Sequence, residues 1–376
     1  MAFPRFMILL SSLGLAASQV SCVGLDTGTD YFSQVYDVCH ESLPRTGADH
    51  APDPATGIYA PRFPPGCQEA LEEVLSAHFD DPSWLPGSEA DRFGWIGSVP
   101  ARLLVLEAFY RMISEPAVFG PEGKAFSSVW PESPAGLTPL DVRCMTEGPE
   151  KVLGCVSDPA PCDLRTDHPA YSNCRIFNYV LSRSSLFRYD PGSDIRLAAE
   201  NEWEASGSGG LSARTVTFYR DFFNFHSGAA GDKQVGSPLG RIHTLVHEAR
   251  HSDGYGPHGS CDSGAEDACD ASLLGPFPYS SFVLAGFIEG QRAARAQAQE
   301  EGGAWPYSWS VLDVVQSARL ICYDLSSRPV NHTNAALDGW LFSPDCYRGS
   351  FDALFRRFGM EYTALDRIDA ARWSIW

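Results

Sequence analysis

Three residues in this chain have the types and spacing for hydrolytic chemistry. His247, Glu248 and His251 lie in the run His247-Glu248-Ala249-Arg250-His251. On a helix, two His four residues apart sit about 40° apart around the axis and about 6 Å along it. Their imidazoles can then converge on one zinc ion, the metal that best suits nitrogen donors and hydrolysis. Glu248 lies about 100° round from His247, beside such an ion. There it can take a proton from zinc-bound water and pass it to a leaving amine.

This chemistry requires a helix, and the flanking residues supply one. Ser237 is a good N-cap and Pro238 a good first helical residue. Leu239, Ile242, Val246 and Ala249 recur at i, i+3, i+7 and i+10, one apolar stripe. His247 and His251 fall at its edge, where a cleft wall would be. Gly254 is a suitable stop. His243 lies one turn before His247, and three His in such a row span about 12 Å. His243 is therefore expected to support the site or to pack, not to share the ion. Arg250, between the stripe and the His row, is expected to need an acidic partner.

The segment from Ile242 to Gly254 resembles the active-site helix of zinc-dependent metallopeptidases, the zincins. The resemblance covers about 25 residues. It implies a zinc cofactor, Glu248 as general base and then acid, and a peptide or protein substrate. It also implies an upstream strand at the cleft edge that pairs with the substrate backbone, here Thr215–Tyr219. In the metzincin branch a third His follows Gly254 at a fixed spacing. That position is Pro257, and His258 comes one residue later, so His258 is the first choice for third ligand. Asp253, Asp270 and Glu289 are the alternatives. The metzincin Met-turn has no counterpart, because Met360 lies far downstream. Asp253 is also placed to orient a ligating His, and Tyr255 is a candidate oxyanion donor.

Composition narrows the setting. The chain has 376 residues, 44% hydrophobic and 20% charged, enough apolar character for a full core. Its formal net charge is −19, which repels phosphate backbones and excludes nucleic acid as an expected partner. Residues 1–21 read as a signal peptide. Arg5 is followed by a short apolar run too short to span a bilayer. Cleavage after Ser18 is one option. The other treats Gln19-Val20-Ser21-Cys22 as resembling a bacterial lipobox, with Gln19 where an aliphatic residue is expected and Cys22 as a lipid anchor. Either route leads to a secreted or cell-envelope location, and a lipid at Cys22 is the only membrane attachment expected.

Eleven cysteines suit that oxidising location. With Cys22 lipidated, ten remain for five bridges. Local pairing suggests Cys261–Cys269 and Cys322–Cys346, with Cys144, Cys155, Cys162 and Cys174 paired among themselves. No C-x-x-C pair is present, so a thiolate zinc site has no support.

Residues 22–66, rich in Gly, Pro, Asp and Thr, read as a mostly irregular tether. Residues 67–376 read as one zincin-like unit, with a helical, disulfide-rich part over 67–174 and a catalytic part over 175–376. Helices are expected near 68–75, from Pro100 to beyond Met112, over 175–190 and over 281–300. The fold class is α+β, mostly helical with a small sheet and braced by disulfides. The leading functional expectation is an extracytoplasmic zinc-dependent peptidase. The alternatives are a non-enzymatic envelope or binding lipoprotein with a metallopeptidase-like fold, and a zinc hydrolase of non-peptide substrates. Residues before about 200 are also compatible with a pro-segment that shields the cleft.

Overall fold

A computed structural model describes residues 29–41, 61–78, 101–117, 160–165, 167–184, 186–190, 199–206, 210–219, 222, 224–226, 233–235, 238–252 and, in part, 275–301. The described residues are mostly helical and contain two disulfides.

Helix α1, Tyr31–Cys39, begins at Asp30, whose carboxylate accepts a hydrogen bond from the Ser33 backbone N–H at 3.1 Å. Phe32, Val35 and Cys39 repeat at helical spacing and are fully buried. Helix α2, Cys67–Ser76, buries Cys67, Leu71, Val74 and Leu75. It starts after Gly66, whose φ of +79° lies in the left-handed region that a side chain would disfavour. The Cys39–Cys67 disulfide joins α1 to α2. Residues 22–66 are therefore not irregular throughout. A helix with one buried face occupies part of the stretch expected to be a tether, and its last residue is covalently tied across the expected boundary at 66/67.

Helix α3, Ala101–Ser114, and helix α4, Tyr171–Arg183, are buried nearly all round. Helices so enclosed lie in the middle of the fold, where buried polar side chains need hydrogen-bond partners, as Asn173 finds in the Met112 and Glu115 carbonyls at 2.7 Å. Both pack against helix α5, Pro238–Ser252, while α1 packs against α2, α3 and α4. In α5, Leu239, Ile242, Val246 and Ala249 are buried, as the apolar stripe requires, together with Leu245.

Strand β1, Leu186–Asp190, follows α4 after a break at Ser184. The helix expected over 175–190 thus stops early. Phe187 is drawn into the core as part of a ladder, paired in register with Val216. Strand β3, Gly210–Tyr219, lies between β1, parallel to it, and β2, Ala199–Ser206, antiparallel to it. Strands β4, Asn224–His226, and β5, Lys233–Val235, form a separate antiparallel pair. Val216 and Phe218 of β3 are both fully buried.

A chain of aromatic rings joins helices to sheet. Phe32 meets Phe177 at 5.8 Å and Phe177 meets Phe109 at 5.6 Å. Phe109 meets Phe187 at 6.1 Å and Phe187 meets Phe218 at 5.5 Å. All five side chains are fully buried, each contributing about 1.5–3 kcal/mol by removal from water. Among the described residues no helix is long and apolar enough to cross a membrane.

Candidate metal centre

Helix α5 carries both His of the motif, and the structure brings their metal-binding atoms together. His247 Nε2 and His251 Nε2 are 3.2 Å apart. Their rings are nearly perpendicular, with centroids 4.9 Å apart. Two nitrogens held on one tetrahedral zinc by bonds of about 2.0–2.1 Å would lie about 3.3 Å from each other. The donor pair therefore fits zinc in both element type and spacing. The same spacing suits an N–H···N hydrogen bond when no ion is present.

Burial agrees with a cleft wall. His247, Glu248 and His251 keep 7%, 5% and 8% of their surface, whereas Arg250 on the inner side keeps none. The three site residues are thus largely dry and yet not sealed. A low-dielectric setting strengthens electrostatic effects at such a site.

His243 is turned to a different partner. Its Nε2 lies 2.9 Å from Ser280 Oγ. The Ser280 hydroxyl proton has backbone acceptors at Pro276 O, 2.7 Å, and Phe277 O, 3.0 Å. If the hydroxyl donates to either carbonyl, its oxygen accepts from the Nε2–H tautomer of His243. An Nε2 so occupied has no lone pair for an ion. The third His of the row thus stands apart from the other two for a chemical as well as a geometric reason.

Helical residues 276–277 and 279–280 lie against α5. The Phe277 ring centroid is 4.3 Å from that of His247. The Arg250 guanidinium sits 4.4 Å above the Tyr279 ring, and Tyr279 meets Tyr179 of α4 at 5.4 Å. Arg250 thus makes a cation–π contact as well as being fully buried. On the other side of α5, Arg241 pairs with Glu107 of α3 at 2.5 Å, with both side chains 1–2% exposed. These contacts fix the helix that bears the two His.

Phe277, Ser280 and Glu107 were not singled out by sequence. Glu107 carried a usable signal, since a carboxylate among Leu104, Val105, Leu106, Ala108 and Phe109 must find a cation if that run is buried. Ser280 and Phe277 carried none, because nothing local links them to a helix more than twenty residues earlier.

His258, Asp253, Asp270, Glu289, Tyr255, Cys22, Cys261, Cys269, Cys322 and Cys346 lie outside the described residues. Of the expected disulfides, Cys162–Cys174 is formed, which accords with pairing inside the group from Cys144 to Cys174. Strand β3, which contains Thr215–Tyr219, corrects one expectation. Its backbone is paired on both sides, so it has no edge to offer a substrate.

Among the described residues one other cluster has ligand-type atoms in proximity, Asp30 with Cys162 and Cys174. It does not suit a metal. The two sulfurs are bonded to each other and cannot act as thiolates. The Asp30 carboxylate is engaged by Ser33, Asn178 and the Asp163 backbone N–H. Compared with family models, curated proteins and solved structures, the chain gives no match.

Proposed function

We propose that this chain is an extracytoplasmic zinc-dependent peptidase with a zincin-like catalytic unit. The observation that carries the reading is the 3.2 Å approach of His247 Nε2 to His251 Nε2 on one helix, with Glu248 between them in sequence. His247 and His251 would hold the ion, with His258 as third ligand and Asp253, Asp270 or Glu289 as the alternatives. Zinc, when bound, supplies Lewis acidity that lowers the pKa of water and polarises a carbonyl. Glu248 accepts the proton from the attacking water and returns it to the departing amine. Tyr255 is the candidate donor to the developing oxyanion. An extended substrate would add to the outer side of β2, the strand of its sheet that packs against α5. Disulfides suit an oxidising compartment, in keeping with a signal peptide and with Cys22 as a possible site of lipidation.

The test is direct. The mature protein is purified, its zinc is measured, and cleavage of a denatured protein substrate is compared between wild type and Glu248→Gln. The expected result is about one zinc per chain in both, with cleavage at least 100-fold slower in the variant. Zinc without Glu248-dependent cleavage would favour a binding protein or a hydrolase of other substrates. A wild-type protein without zinc would remove the metal centre itself.

A further inference from the structure

The ring of His247 is enclosed by three others. His251 lies across its metal-facing nitrogen, Phe277 packs 4.3 Å from its centroid, and His243 stacks 6.3 Å away at an interplanar angle of 27°. Two of these three, His243 and Phe277, converge on a single atom. Ser280 Oγ contacts His243 Nε2 at 2.9 Å and bonds to the Phe277 carbonyl at 3.0 Å. That hydroxyl is fully buried, as is the rest of Ser280.

From this we infer that Ser280 is a positioning residue for the zinc ligand His247, acting through His243 on one side and Phe277 on the other. The inference rests on the metal reading given above. An imidazole on a helix has two side-chain torsions, and only a narrow range of each points Nε2 at a shared ion. A ring that is already confined gives up less freedom on binding. Ser280 fixes the spacing between the two groups that confine it. Its hydroxyl also engages Nε2 of His243, which keeps that nitrogen from competing for the ion. Neighbouring Tyr279, held over Arg250, keeps the same short segment seated on α5.

The experiment reads zinc affinity by competition with a chromophoric chelator, and thermal stability of the metal-free protein alongside it. Four variants are compared with wild type. Ser280→Ala removes the hydroxyl at almost no change in volume. Phe277→Leu keeps an apolar filler and loses the flat ring. Ser280→Thr retains the hydroxyl. Val35→Ala opens a cavity in α1, a helix outside this contact set. Expected is a loss of zinc affinity of about 10-fold in Ser280→Ala and Phe277→Leu, the low end for residues that orient a ligand. Ser280→Thr recovers most of it, and Val35→Ala lowers the melting temperature with zinc affinity unchanged. Cobalt substituted for zinc gives a visible band that shifts in Ser280→Ala and not in Val35→Ala. Wild-type affinity in both Ser280→Ala and Phe277→Leu would overturn the inference and leave the metal centre standing. An equal loss in Val35→Ala would overturn it too, as a general effect of stability. Wild-type protein that binds no zinc would overturn the metal centre and this inference together.

Discussion

Arg241 of α5 and Glu107 of α3 are 134 residues apart in sequence and form an ion pair at 2.5 Å with almost no exposure to solvent. Such a pair costs a great deal to desolvate, and removing one member leaves a bare charge inside. Glu107→Gln is expected to destabilise the fold by about 3–5 kcal/mol, read by chemical denaturation. Combining it with Arg241→Met is expected to recover most of the loss. If the double variant is no more stable than Glu107→Gln alone, the pair is not the cause.

Metal removal gives a second prediction. A ligand that binds only the folded state raises stability by mass action, by about 2.7 kcal/mol at a hundred times its dissociation constant. A strong chelator is therefore expected to lower the melting temperature of wild type. In His251→Ala the same chelator is expected to change nothing, because one of the two converging nitrogens is gone.

Asp30 predicts a pH effect. Burial raises the pKa of its carboxyl, but hydrogen bonds from Ser33, the Asp163 backbone and Asn178 outweigh that and hold it below the ordinary value. A carboxyl whose folded pKa is depressed stabilises the fold above its unfolded pKa of about 3.9. That stability is lost as pH falls from there through the lower folded pKa. Asp30→Ala is expected to melt earlier than wild type at pH 7, with the gap closing below about pH 4. A gap that stays constant from pH 7 to pH 3 would point to lost packing instead.

The Cys39–Cys67 bridge closes a span of 28 residues. Chain entropy assigns such a loop about 3.5 kcal/mol. Replacing both residues by Ala is expected to lower stability by that order, with reducing agent then having a smaller effect than on wild type. Unchanged unfolding in the double variant would show that buried contacts of α1 suffice.

Gly290 makes a fifth prediction. A Cβ there would strike the backbone of Pro116 and Ala117, just past the end of α3. Backbone cannot swing aside as a side chain does. Gly290→Ala is expected to be clearly destabilising, although Ala favours helix over Gly by about 1 kcal/mol. A melting temperature at or above wild type would refute the close approach.

Much of the site's immediate frame could be read from local pattern. The apolar stripe of α5, its start at Pro238 and the helical spacing of His247 and His251 are all short-range features, set by periodicity and capping. The separation of His243 from the pair followed from pitch alone. Long-range features escaped. Tyr31–Cys39 carries a short stripe at Phe32, Val35 and Cys39 and a cap at Asp30, but a nine-residue helix in a Gly- and Pro-rich setting is weak until its partners Phe177 and Asn178 are known. The sequence predicts helix through Leu186–Asp190 because the strand character of this segment depends on a partner, β3, found only after another strand intervenes. Arg250 was assigned a carboxylate partner by the rule for buried charge, and the geometry adds an aromatic face that the rule does not foresee.

The place of Glu107 has a consequence for processing. A zymogen that matured by shedding everything before about residue 200 would discard α3 and α4, and with them the carboxylate facing Arg241 and the ring facing Tyr279. The His-bearing helix would then expose its apolar stripe and lose the ion pair of Arg241 with Glu107. Any activating cut compatible with this architecture must spare α3 and α4, or must leave them in place, held by their contacts with α5.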